Sequence, residues 1–86
     1  LNIVIIDENK YQNDILTKTL QEHGHNIKQL LKYNDIIKDI HSFASVIDLV
    51  ILDIDIDDVD SIIKQIDEIF QCKIILLSKE DDKLSK

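Results

Sequence analysis

Short unbroken apolar runs alternate along this chain with longer stretches in which apolar residues return every three or four positions. Asn2 to Ile6 is a run of mostly β-branched residues, closed by the turn-forming and capping side chains of Asp7, Glu8 and Asn9. From about Tyr11 to His23, Ile15, Leu16 and Leu20, with Tyr11 or Thr19 alongside, recur at helical spacing, and Gly24 supplies the stop. Ile27 to Leu31 is a short strand with lysine and glutamine interleaved, the composition of a sheet edge. Asn34 can cap a second helix whose apolar face is Ile36, Ile37, Ile40 and Phe43, after which Ala44 to Ile47 lead into the run Leu49-Val50-Ile51-Leu52. Ser61 to Gln71, with Asp60 as its N-cap, is a third helix buried through Ile62, Ile63, Ile66, Ile69 and Phe70. Lys73 to Leu77 is the last apolar strand, and Cys72 packs as a small apolar residue where it starts.

Strands without internal polar alternation are buried on both faces, and such strands belong to parallel sheets covered by helices. The order β-α-β-α-β-α-β therefore predicts an α/β domain with a parallel sheet and right-handed crossovers. In sheets of this kind ligands gather at the carboxyl ends of the strands. Asp7 with Glu8, Asp53, and Ser78 all fall at such ends.

Composition narrows the function. Eighty-six residues make one domain, with seventeen acids against ten bases, all lysine, and a formal charge of −7. That balance argues against a nucleic-acid surface, where basic stripes are expected. A single cysteine excludes an internal disulfide and a cysteine-rich zinc site, and fits a reducing compartment. No apolar run approaches the roughly 18 residues of a membrane span, and no signal-peptide pattern opens the chain, so a cytoplasmic protein is expected.

The chemistry concentrates in DLVILDIDIDDVDS, where the apolar run from Leu49 to Leu52 gives way to five aspartates beginning at Asp53. Clustered carboxylates repel one another, and Mg²⁺ held by one or two carboxylates plus water relieves that repulsion. A hydroxyl opposite such a metal, as at Ser78, can contact a phosphoryl oxygen. Asp57, Asp58 and Asp60 read as solvated loop and cap residues. His23, His25 and His41 are not at metal-ligand spacing with one another, and Tyr11 and Tyr33 are too scattered for a base-stacking platform.

With NIVIIDENK, DLVILDIDIDDVDS and KIILLS in register, the chain resembles a response-regulator receiver domain of two-component signalling over its whole length. The resemblance implies a flavodoxin-like open parallel sheet of order 2-1-3-4, with the first helix on one face and the second and third on the other. It implies that Asp53 accepts a phosphoryl group from a histidine kinase or phosphotransfer protein. Asp7 and Glu8 match the acid pair that holds Mg²⁺ with Asp53, Asp55 matches the position that offers its backbone carbonyl to the metal, and Ser78 matches the hydroxyl that senses the phosphoryl group. Such a protein is a self-phosphorylating switch rather than a turnover enzyme.

The chain also departs from the family. The Pro and Gly usual after the acceptor are Asp57 and Ser61, and the small residue usual after the hydroxyl is Lys79. Most of the fourth helix, the fifth strand with its lysine and the fifth helix have no counterpart. With Leu1 in place of Met, an excised piece of a longer protein is expected. A fourth strand without a fifth beside it would be prone to self-association. Three other readings compete. A pseudo-receiver would keep the fold and act only through protein contacts. A haloacid-dehalogenase-like phosphatase fragment would use Asp53-Ile54-Asp55, but its usual Thr is Asp57 and the chain is far too short. A calcium loop would need Gly where Asp58 stands and Glu where Lys64 stands, after a helix rather than a strand.

Overall fold

The computed structural model describes residues 1–34 and 47–77. Within them the chain runs β1 (Asn2–Ile6), α1 (Lys10–Glu22), β2 (Asn26–Leu30), β3 (Leu49–Asp53), α2 (Val59–Phe70) and β4 (Lys73–Leu77). The four strands form one parallel sheet in the order β2-β1-β3-β4, the open α/β sheet expected from the alternating runs. The second helix read from the sequence and Ser78 lie outside the described residues.

Both central strands are buried on both faces, which explains why neither shows polar alternation. Val4, Ile6, Val50 and Leu52 join Leu30, Ile56, Ile62 and Ile66 in a core on one face, beneath α2. Ile3, Ile5 and Ile51 point to the other face, where Leu16 and Leu20 of α1 pack on them. Consecutive residues of one strand thus serve opposite cores, because side chains alternate across the sheet.

The helix faces differ from expectation in two places. Ile62 and Ile66 of α2 are buried and Ile63 and Phe70 partly so, but Ile69 is exposed. On α1 the expected stripe is rotated: Tyr11 and Ile15 are exposed, and Asn13 and Thr17 are the buried residues beside Leu16 and Leu20. Positions 13, 16, 17 and 20 are one helical face, so geometry chose a stripe containing two polar residues.

Boundaries move by a residue or two, as element ends do. β2 begins at Asn26 rather than Ile27, and Tyr33 and Asn34 already have helical backbone, so Asn34 is not a cap. The N-cap of α2 is Asp58, with left-handed backbone at φ 58, so Asp60 lies within the first turn. Asp tolerates this conformation better than most residues. Gly24 follows the α1 cap at φ 89, and its N–H donates to the Gln21 carbonyl. Cys72 packs against the α2-side core as expected; burial foremost, with Asp67 and Asp48 nearby, pushes its thiol pKa up. No helix among the described residues is long and apolar enough to cross a membrane.

Two stability outcomes follow. Gly24→Ala places a Cβ in open space, so its cost is conformational alone, about 1–2 kcal/mol, and Gly24→Asn costs less. Ile66→Ala, at a fully buried position, costs about 2–5 kcal/mol, whereas Ile69→Ala on the exposed side of the same helix costs under about 1 kcal/mol. Urea unfolding of the four variants measures both differences.

Candidate functional site

The two central strands end in the same device. Asp7 follows β1 directly, and its N–H donates to the Leu30 carbonyl at 3.1 Å, carrying the pairing with β2 one residue further. Its side-chain Oδ1 accepts the N–H of Asn9 at 2.9 Å, an aspartate turn that reverses the chain into α1. Asn9 then caps the helix: its side-chain oxygen accepts the Gln12 N–H at 3.1 Å and its carbonyl accepts the Asn13 N–H at 2.9 Å.

Asp53 closes β3 in the same way. Its Oδ1 accepts the N–H of Asp55 at 3.0 Å, and its carbonyl accepts the Ile56 N–H at 3.2 Å. The Ile54 N–H donates to the Leu77 carbonyl at 2.9 Å, extending the pairing with β4, while Ile56 drops into the core and the left-handed Asp58 starts α2.

These two carboxylates are neighbours by register. Ile6 pairs with Leu52, so Asp7 and Asp53 occupy the next position on adjacent strands, which lie about 4.8 Å apart. Asp7 is 0% and Asp53 2% exposed. Buried carboxylates require donors or opposing charge, and the Asn9 and Asp55 amides supply part of that requirement.

Of the expected site residues, Asp7 and Asp53 are brought to one rim, and Glu8 and Asp55 stand beside them with exposed side chains. Asp7, Glu8 and Asp53 do not close into a ready three-carboxylate group; no set of three or more His, Cys, Asp or Glu placed to hold a metal occurs among the described residues. The reason is local. With Asp7 folded back onto the Asn9 amide, Glu8 is left on the exposed outside of the turn. Two carboxylates still match the donor set of Mg²⁺, which takes one or two and keeps its remaining waters.

The residue that sequence reading missed is Asn13. Its Nδ2 donates to the carbonyls of both Asp7, at 3.1 Å, and Leu30, at 2.8 Å, and its Oδ1 accepts the Thr17 hydroxyl at 3.3 Å. The available signal was the pair Asn13 and Thr17, one helical turn apart, on the same face as Leu16 and Leu20.

A cleft of about 390 Å³ adjoins the rim, with Glu8, Lys32, Tyr33, Asp57, Ser61 and Gln65 among its walls. The Tyr33 hydroxyl donates to Gln65 Oε1 at 3.2 Å, and Gln65 Nε2 donates to Ser61 Oγ at 3.2 Å. Burial pushes the Tyr33 phenol pKa up. No protein-family model, curated protein or solved structure matches the chain.

Proposed function

We propose that this chain is a phosphoacceptor receiver domain, a cytoplasmic signalling switch that takes a phosphoryl group from the phosphohistidine of a histidine kinase or phosphotransfer protein onto Asp53. The observation that carries the reading is the pair of buried aspartates, Asp7 and Asp53, at the carboxyl ends of the two adjacent central strands. An oxygen of the Asp53 carboxylate attacks phosphorus, the bond from phosphorus to the imidazole nitrogen breaks, and the imidazole leaves with the electron pair and takes up a proton. Such a transfer asks the protein chiefly for positioning and charge neutralisation. The Asp55 amide on Asp53 Oδ1 fixes the orientation of the nucleophile. Asp7, Glu8 and Asp53, with the main-chain carbonyl of Asp55, would hold Mg²⁺, whose charge would neutralise the transferring oxygens. Ser78 would supply the hydroxyl that meets the phosphoryl group.

A second reading is a pseudo-receiver that keeps the sheet and acts only through protein contacts. It is favoured by the exposed Glu8 and by the lack of a three-ligand group among the described residues. Self-association through β4 fits either reading. Among the described strands β4 pairs only with β3, and its Ile75 and Leu76 are 48% and 44% exposed.

Two outcomes test these statements. In the full product of the gene that carries this chain, an acyl phosphate with Mg²⁺ adds one phosphoryl group, detected by intact mass, and Asp53→Asn abolishes it. Phosphate that persists in Asp53→Asn removes Asp53 from the mechanism, and none in the unaltered protein favours the pseudo-receiver. In sedimentation the chain associates with rising concentration, and Ile75→Lys with Leu76→Lys weakens that association at least about tenfold. A concentration-independent monomer contradicts the role given to β4.

A further inference from the structure

We infer that Asn13 is the positioning residue of the acidic rim, fixing Asp7 against the end of β2; the inference deepens the receiver reading and rests on it for the metal. Asn13 is fully buried, and a buried amide on the packing face of a helix needs hydrogen-bond partners. Its two donated hydrogen bonds reach the last carbonyls of two separate strand ends, Asp7 after β1 and Leu30 in β2.

The bonds close a circuit. Asn9 donates its N–H to Asp7 Oδ1, the Asn9 carbonyl accepts the Asn13 N–H, and the Asn13 side chain donates back to the Asp7 carbonyl. The Asp7 N–H is held in turn by Leu30, the same carbonyl that Asn13 grips. The peptide groups on both sides of Asp7 and one oxygen of its carboxylate are therefore all held in a network that Asn13 joins to the body of α1. Thr17 orients that amide: its hydroxyl donates to Oδ1, which turns both Nδ2 hydrogens toward the strand carbonyls.

A packing residue would need only volume, but these contacts need two donors and a fixed amide orientation. Asn13→Asp keeps the shape and removes both donors. Thr17→Val keeps the volume of its neighbour and removes the orienting hydroxyl, so it serves as a second variant whether or not Asn13→Asp folds. Ile66→Val, in the core on the opposite face, is the comparator for general loss of stability.

The experiment reads amide hydrogen exchange at Asp7 and Asn9, together with Mg²⁺ titration followed by NMR, in the whole chain. Exchange at these two amides is expected to quicken roughly ten- to a hundredfold in Asn13→Asp and less in Thr17→Val, beyond any change spread over the sheet in Ile66→Val. Mg²⁺ affinity is expected to fall about 10–100-fold in Asn13→Asp, as for other residues that orient a ligand, and to hold in Ile66→Val. Unchanged local exchange in the folded variants, or equal changes in Ile66→Val, overturns the positioning role. An unaltered protein that binds no Mg²⁺ but shows the local exchange effect sustains Asn13 as the residue that fixes Asp7 and removes the metal from the receiver reading.

Discussion

The pairing of β1 with β3, both sealed from water on two faces, is the constraint on which the rest of the structure depends. A strand in that position cannot present polar side chains anywhere along its length, so polar groups are admitted only where it ends. Ile6, the last residue of β1, stands opposite Leu52, so Asp7 just past β1 and Asp53 at the end of β3 come to the same level of the sheet. Both aspartates are buried, like Ile6 and Leu52 immediately before them. Each is then accommodated in the same way, by accepting the amide two residues on. The acidic rim is thus a consequence of strand register as much as of acid content.

A buried acid at a strand end needs its surroundings fixed, and the helices supply this unequally. At Asp53 the adjacent chain does the work, through Ile54 bonded to Leu77 and Ile56 anchored in the core. At Asp7 the next helix takes part, because Asn13 reaches back from its second turn to hold two strand ends. That arrangement joins β2, an edge strand with few buried side chains, to the centre of the sheet at its carboxyl end. A further tie lies on the outer surface, where Gln29 of β2 and Lys10 both donate to Asp14 and lower its pKa, the Gln29 bond foremost. This last contact is fully exposed and contributes little to stability.

Much of the fold was legible in particular residues. Asn2–Ile6, Leu49–Asp53 and Lys73–Leu77 stand where their unbroken apolar runs place them; for the first two the reason is that a strand covered on both faces has no other composition available, whereas Lys73–Leu77 keeps the run although no residue of it is fully buried. Gly24 marks the end of α1 because its backbone needs a positive φ. The start of α2 was less legible: Asp57, Asp58 and Asp60 are all competent caps by chemistry, yet the helix begins after a left-handed Asp58 whose side chain makes no capping hydrogen bond.

The sequence by itself determined which segments are strands, that they lie parallel, and that Asp7 and Asp53 stand at strand ends, since hydrophobic period and run length carry that information locally. Tertiary structure alone decided the rotation of α1. Counting apolar residues favours a face with Tyr11 and Ile15, but the buried face holds Asn13 and Thr17, and that rotation brings the Asn13 amide to the strand-end carbonyls of Asp7 and Leu30. It likewise decided that Glu8 turns outward while Asp7 turns in. Adjacent acids are equivalent in composition, and the Asn9 amide, positioned by the helix it caps, distinguishes them. Such choices depend on partners distant in sequence, and local pattern does not encode them.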